Sequence, residues 1–306
     1  MRQQNSFRSG FVALAGRPNV GKSTLLNALL KQKIAAVSPR PQTTRRRQLG
    51  ILTLDEGQII FMDTPGIHKP VHKLGEFMNQ VALDALEDAD VIVWMVDISV
   101  DPTDEDRIVA TKLNALENRP PVLLALNKAD LLNSAALQEK SRHYQMLCPD
   151  AAPIVLSATT GRGQDQLLNE IFNRLPPGSL FYDEEQITDL YEREIAADLV
   201  REAALLHLHD EVPHSLAVRI EEYKERSEDT AYIAATLLVE RESHKGIVIG
   251  RGGEMLKKIG STARQAIEEM SGRKIFLELR VKVAKNWRND LAVLRQLGYV
   301  VEKKRQ

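Results

Sequence analysis

Gly16-Arg17-Pro18-Asn19-Val20-Gly21-Lys22-Ser23-Thr24 lies between the apolar run Phe11-Val12-Ala13-Leu14-Ala15 and a segment carrying Leu25, Leu26 and Leu29 at helical spacing. The run before it reads as a buried parallel strand, and Ser23 to Leu30 reads as a helix with those leucines inward. Strand, glycine-rich turn and helix in this order make a P-loop. Gly16 and Gly21 let the backbone wrap a phosphate chain, with successive N–H groups, including those of Asn19, Val20 and Thr24, and the positive end of the helix facing inward. Lys22 then bridges the β- and γ-phosphates, and the Ser23 hydroxyl ligates Mg²⁺.

A P-loop leaves kinases, ATPases and GTPases open, so the base reader has to be found elsewhere. Asn127-Lys128-Ala129-Asp130 follows the apolar strand Val122-Leu123-Leu124-Ala125-Leu126, which puts it at the carboxyl edge of the sheet, where open α/β folds bind ligands. The Asp130 carboxylate matches the N1–H and N2–H₂ donors of guanine, whereas adenine would leave both oxygens unpaired. Lys128 would lay its stem over the base, and Asn127 would tie this loop to the P-loop. Ser157-Ala158-Thr159 after the strand Ile154-Val155-Leu156 completes the site, with the Ala158 N–H expected to meet guanine O6. A metabolic P-loop kinase would have no use for either run.

Between these segments lies Asp63-Thr64-Pro65-Gly66, at the end of the strand Ile59-Ile60-Phe61-Met62. Asp63 is placed to hold Mg²⁺ through a water, and the Gly66 N–H can bond the γ-phosphate only while that phosphate is present, which is the physical basis of a switch. Pro41-Gln42-Thr43-Thr44-Arg45 is the candidate first switch, with Thr44 favoured over Thr43 as the Mg²⁺ ligand. Ile67 stands where signalling GTPases carry a glutamine that orients the attacking water. Isoleucine cannot do so, and slow unassisted hydrolysis is expected.

A chain of 306 residues exceeds the usual single-domain size of roughly 100 to 200. The phosphate- and base-reading segments are complete by Thr159, a last helix ends near Leu175, and Pro176-Pro177-Gly178-Ser179 is a helix stop and linker signal. Domains are therefore expected at 8–176 and 190–300, with a linker at 177–189 and a tail at 301–306. Charge divides along the same line. Residues 241–306 hold 16 Lys and Arg against 7 Asp and Glu, a net of +9, while the rest of the chain is −10, giving the formal −1. A basic region on an acidic body points to a polyanion partner.

The order of elements selects the polyanion. Leu190 to Leu208 reads as a helix, and Ser215 to Glu222 and Tyr232 to Glu240 read as alternating strands. Ile247-Val248-Ile249-Gly250-Arg251-Gly252-Gly253 comes next, followed by a helix with Met255, Leu256, Ile259, Ala263 and Ile267 inward and a strand from Lys274 to Val283. This is the order of an α+β type II KH domain, with Gly250 to Gly253 as its GXXG loop, whose glycines let the backbone approach a sugar–phosphate chain. Ile247, Val248, Ile249 and parts of the helix that follows would line an apolar groove for the bases of four single-stranded nucleotides, with Lys257 and Lys258 on that helix.

These motifs in this order, Gly16 to Thr24, Pro41 to Arg45, Asp63-Thr64-Pro65-Gly66-Ile67-His68-Lys69-Pro70, Asn127 to Asp130, Ser157 to Thr159 and Ile249 to Gly253, closely resemble the Era-type family of bacterial GTPases with a C-terminal KH domain. The resemblance covers nearly the whole chain. It implies a P-loop GTPase domain with a mostly parallel sheet and helices on both faces, GTP/GDP and Mg²⁺ as ligands, and a monomer in the cytoplasm with a fraction peripheral at the inner membrane. It further implies binding to the 3′ end of 16S rRNA and a part in 30S subunit maturation. In related GTPases with an asparagine at the position of Asn19, a bound K⁺ takes the place of an arginine finger, so K⁺ is expected to accelerate turnover here.

The rival from another class is a constitutive RNA-binding or membrane-attached module with a structural GTP/GDP site. No run of about 18 apolar residues is present, and the polar start does not resemble a signal peptide. Cys148 is the single cysteine, which excludes an internal disulfide and suits a reducing compartment. His207, His209 and His214 lack the company a zinc site needs. Trp94 and Trp287 read as packing residues, and Lys303-Lys304-Arg305 as a frayed tail.

Overall fold

The computed structural model describes residues 7–38, 40 and 43–299. Pro41 and Gln42 of the candidate first switch, and the tail with Lys303, Lys304 and Arg305, lie outside the described residues. The chain divides into two compact units, one of residues 7–32, 44–70 and 78–189, the other of 33–38, 40, 43, 71–77 and 190–299.

Elements through residue 172 run β1 (Arg8–Ala15), α1 (Lys22–Leu30), β2 (Gln48–Leu54), β3 (Gly57–Asp63), α2 (Lys73–Glu87), β4 (Val91–Asp97), α3 (Asp104–Asn114), β5 (Val122–Asn127), α4 (Ser134–Gln145), β6 (Ala152–Val155) and α5 (Gln164–Phe172). The sheet of the first unit has the order β2-β3-β1-β4-β5-β6, parallel throughout except for β2 against β3. β3 and β4 are buried at every position, because helices cover both faces and no strand residue can face water. Ile60, Trp94 and Leu124 pack on one side with Ala82, Val109 and Tyr144 of α2, α3 and α4. Order reverses at β1, which has β3 on one side and β4 on the other, and the P-loop leaves the sheet at that switch point.

Residues 177–189, expected as a linker, pack along the first unit. Gly178 N–H donates to the Phe7 carbonyl at 2.9 Å, and the Phe181 ring meets Phe11 edge-on with centroids 5.2 Å apart. The buried Gln58 side chain clamps this strap from both ends of its amide: Oε1 accepts from the N–H groups of Phe181 and Tyr182 at 2.8 and 3.0 Å, and Nε2 donates to the Tyr182 carbonyl at 2.9 Å. Further on, Ile51 N–H donates to the Ile187 carbonyl at 2.9 Å and Leu49 N–H to Asp189 Oδ1 at 3.0 Å, along β2.

The second unit contains α6 (Glu192–His207), β7 (Ala217–Ser227), β8 (Thr230–Val239), α7 (Glu242–Ile249), α8 (Glu254–Ser271), β9 (Lys274–Val283) and α9 (Leu291–Gln296). β7 and β8 pair antiparallel and β8 and β9 parallel, with α7 and α8 as the crossover. Ile259, Ala263 and Ile267 of α8 are buried with Leu199 and Ala203 of α6 and Ile233 of β8, and Met255 and Leu256 pack at the margin. α7 departs from the sequence reading, which ran Ile247-Val248-Ile249 straight into the glycine loop. Its eight residues include Gly246 and three β-branched side chains, a composition with weak helix preference, and tertiary packing overrides it. Trp287 is also core, its Nε1–H donating to the Ser215 carbonyl at 2.8 Å.

Candidate nucleotide and RNA sites

The P-loop backbone is shaped by Gly21, at φ 104°, where a Cβ would collide with the Asn127 amide. That close approach exists because Asn127 Nδ2 donates to the Val20 carbonyl at 2.6 Å, the expected tie between base loop and P-loop. Asn19 is left-handed at φ 65° within the same loop. Lys22 is buried at the first position of α1 and its Nζ donates to the carbonyls of Gly16 and Arg17 at 3.3 and 3.1 Å. Burial lowers its pKa to about 8, and the nearby Arg17 adds to this while Asp63 opposes it.

Ser23, Thr44 and Asp63 converge. Ser23 Oγ lies 2.9 Å from Thr44 Oγ1 and donates to Asp63 Oδ2 at 2.7 Å, and Thr44 Oγ1 lies 3.1 Å from the same carboxylate oxygen. Adjacent ligands of an octahedral Mg²⁺ at 2.0–2.1 Å stand about 2.9 Å apart, so the two hydroxyls already span one edge of such a site and the all-oxygen set suits a hard cation. Thr43 is turned elsewhere, its hydroxyl donating to the Arg40 carbonyl at 3.0 Å. Thr24 is half-buried on α1.

After Gly66, the Ile67 N–H donates to the Gly16 carbonyl at 3.2 Å and its side chain is buried in the core of the first unit. No polar side chain is offered at that position. His68, not singled out from sequence, is buried with Nδ1 2.8 Å from the Gly66 carbonyl, so that both ends of the Gly66–Ile67 peptide are held.

At the base loop, Lys128 is left-handed at φ 64° and its Nζ donates to Asp97 Oδ2 at 2.5 Å, which fixes the direction of its stem. Asp97, at the end of β4, was missed; the available signal was an acidic residue closing an otherwise apolar strand. Asp130 is exposed on a short 3₁₀ turn. Ser157 is buried, with Oγ 3.3 Å from Thr159 Oγ1. Ala158 differs from expectation: its N–H donates to Asn127 Oδ1 at 2.9 Å rather than standing ready for a base oxygen. The asparagine side chain therefore uses both ends of its amide, one on each loop.

In the second unit the glycine loop joins α7 to α8, with Gly250, Gly252 and Gly253 all at positive φ, and Arg251 exposed. Beside it runs a cleft of about 460 Å³ lined by Gly253, Leu256, Lys257 and Arg264 of the loop and α8 and by Leu277 and Leu279 of β9. Val248 departs from the expected apolar wall. Val248 is fully buried in the core, and Ile247 and Ile249 ride on α7. A helix at that point turns Val248 inward, and the apolar wall of the cleft comes from Leu256 of α8 and Leu277 and Leu279 of β9. Lys257 reaches the cleft; Lys258 is on the side of α8 that faces His207, whose pKa is lowered by burial and then by the Lys258 charge. Among the described residues no group of His, Cys, Asp and Glu is arranged to hold a metal ion, and no helix is long and apolar enough to cross a membrane.

Residues 11–128 match the family model described as a 50S ribosome-binding GTPase, and residues 211–288 match the KH domain model. The GTPase Era of Caldanaerobacter subterraneus subsp. tengcongensis is 46% identical over 301 residues, covering 97% of this chain and 100% of that one. Era of Halothermothrix orenii is 44% identical over 295 residues, covering 96% and 99%. Two solved structures superpose with a TM-score of 0.91 at 38% identity, over 96% of this chain and 100% of theirs: Era in complex with MgGDPNP and nucleotides 1506–1542 of 16S ribosomal RNA, and a variant of Aquifex aeolicus Era bound to GDP and AlF₄⁻. Identity of this order along almost the full length of both chains, in a fold that pairs a GTPase sheet with a KH unit, makes this chain a GTPase of the Era family.

Proposed function

We propose that this chain is a GTP-driven switch that binds the 3′ end of 16S rRNA through its KH domain and assists maturation of the small ribosomal subunit in the cytoplasm. The observation that carries the switch is the meeting of Ser23, Thr44 and Asp63 at one point, because it joins the P-loop, the first switch and the end of β3 around a single set of oxygens. The RNA half is supported by the cleft beside Gly250 to Gly253 and by the relative solved with MgGDPNP and nucleotides 1506–1542 of 16S rRNA. Residues 8–176 are assigned to the GTP-binding domain, 177–189 to the connection and 190–300 to the KH domain.

In this reading Gly16 and the N–H groups of Asn19 to Thr24 cradle the phosphates, and Lys22 exchanges its two carbonyl partners for β- and γ-phosphate oxygens. The Ser23 and Thr44 hydroxyls would hold Mg²⁺, with Asp63 behind them; the ion supplies charge neutralisation on the phosphates when bound. The Gly66 N–H bonds the γ-phosphate. Asn127, Lys128 and Asp130, with Ser157, Ala158 and Thr159, hold the base. Ile67 leaves the attacking water without a side-chain partner, and Asn19 is assigned a K⁺ that compensates. Turnover is then faster in KCl than in NaCl, and Asn19→Ala removes the difference; equal rates in the two salts for the parent protein would retire the K⁺ assignment.

The central test is binding of the full chain to a short single-stranded RNA of the 16S 3′ end, with GDP and with a non-hydrolysable GTP analogue. Tighter binding with the analogue, lost in Gly252→Asp, is the expected result. Gly252 sits at φ 61° with open space around it, so this substitution adds charge without collision, and Asp tolerates that backbone better than most residues. Equal binding with both nucleotides would favour a constitutive RNA module. Retention on anionic vesicles without RNA binding would identify a membrane surface as the polyanion and overturn the proposal.

A further inference from the structure

Two buried carboxylates outside the sequence motifs stand between the loop for the phosphates and the loop for the base. Asp97 Oδ2 accepts from Lys128 Nζ at 2.5 Å, and the same oxygen lies 4.0 Å from a guanidinium nitrogen of Arg17 in the P-loop. Arg17 Nε donates to Asp106 Oδ2 on α3 at 3.1 Å, and Asp106 is fully buried. Tyr144 on α4 closes the cluster, donating its hydroxyl to the Asp97 carbonyl at 3.1 Å with Asp106 Oδ2 3.4 Å away. Side-chain exposure is 10% at Asp97 and 15% at Arg17, so solvent screens these charges little. Burial works to raise the Asp97 pKa, but the Lys128 and Ser99 hydrogen bonds outweigh it and the carboxyl stays below its ordinary value, hence ionised.

We propose that Asp97 is a positioning residue that couples the phosphate loop to the base loop, its Oδ2 bonded to Lys128 and facing, at 4.0 Å, the Arg17 guanidinium that Asp106 holds. The proposal rests on the reading of residues 127–130 as the base loop. Asn127 already links the two loops through the Val20 carbonyl, but that bond leaves the Arg17 and Lys128 side chains unrestrained. The ionic link restrains the two side chains, and it continues to the phosphate lysine because the Arg17 carbonyl is a partner of Lys22 Nζ. When a base displaces the Lys128 stem, the share of the Asp97 charge felt by Arg17 changes. Base and phosphate are then sensed together, although the groups that sense them belong to separate loops.

The test is a double-mutant cycle on the full chain, read as the Kd of a fluorescent GDP analogue for Arg17→Met, Lys128→Met and the pair, in the parent and in an Asp97→Asn background. In the parent the pair weakens binding by about three- to tenfold less than the product of the single effects, as expected for coupled groups. With Asp97→Asn the effects multiply. Asp97→Asn alone raises KM for GTP and changes kcat at saturation by less than about twofold, the signature of lost uniform binding. Multiplicative effects in the parent, or a fall in kcat with KM unchanged, would overturn the proposal. The parent cycle needs no change at Asp97, so a poorly folded Asp97→Asn leaves that test intact. Asp130→Ala probes the base loop separately: unchanged GDP affinity there removes that reading, whereas lost affinity with a multiplicative Arg17–Lys128 cycle removes the coupling alone.

Discussion

The nucleotide site and the cleft proposed for RNA are built on opposite plans. In the first, the polar groups are bonded to one another: Lys22 to two carbonyls, Ser23 and Thr44 to Asp63, Asn127 to both Val20 and Ala158, Lys128 to Asp97. In the second, half-buried Leu256, Leu277 and Leu279 floor a cleft rimmed by the exposed Lys257 and Arg264. Groups held in fixed directions reject a ligand that leaves one unpaired, which gives sharp discrimination and makes each residue expensive to change. Exposed cations over an apolar floor attract any single strand in proportion to its charge, and salt weakens them.

Lys22→Met should separate the two plans most widely. Nucleotide affinity is expected to drop about a thousandfold or more, as for loss of a charged partner to a buried phosphate. The nucleotide-free protein should become more stable, because a lysine lowered from 10.5 to about 8 carries a burial penalty of about 3 kcal/mol when charged. The folded pKa lies below the unfolded one, so the unfolded chain binds the extra proton and the penalty is fully present below pH 8. Denaturation midpoints from pH 7 to 10 should show the advantage of Lys22→Met shrinking as pH rises through 8; an advantage independent of pH would assign it to packing instead.

Ser23→Ala tests the oxygen triangle and is expected to lower kcat by about a hundredfold, with GDP affinity less affected, as for loss of one preorganised group at the reacting phosphate. Single-turnover hydrolysis across a Mg²⁺ titration reads both. Val248→Ala addresses the corrected wall of the cleft. A fully buried valine should cost about 1–3 kcal/mol of stability and leave RNA affinity in the folded protein unchanged. Loss of RNA affinity without loss of stability would return Val248 to the groove. The smallest effect belongs to Lys257→Gln, about three- to tenfold in RNA Kd, with the log Kd against log salt slope reduced by about 1 and melting temperature unchanged.

What could be read from sequence divides along the same contrast. The P-loop, the loop of residues 127–130 and the glycine loop are local backbone motifs, each set by a few residues within one turn, and a sequence displays these openly. Asp97 and Asp106 act across loops far apart in the chain, and a lone acid after Val96 or on α3 looks like any solvated charge until packing buries it. Ala158 illustrates a subtler limit. Its N–H is expected to meet a base oxygen, but whether Asn127 claims it depends on the distance between two loops. α7 was hidden because Ile247-Val248-Ile249 suits a strand by intrinsic preference, and only the crossover between β8 and β9 requires a helix there.

The strap clamped by Gln58 determines where this chain can be divided. β2 is the last strand of its sheet, and a bare outer strand is a template for pairing with another molecule. Residues 187–189 occupy that edge, taking the N–H groups of Leu49 and Ile51. A fragment ended at Leu175, three residues past the end of α5, would uncover it and should self-associate with rising concentration. One carried through Asp189 keeps its own cover and should stay monomeric, so the stretch that looks like a tether is the hem of the sheet.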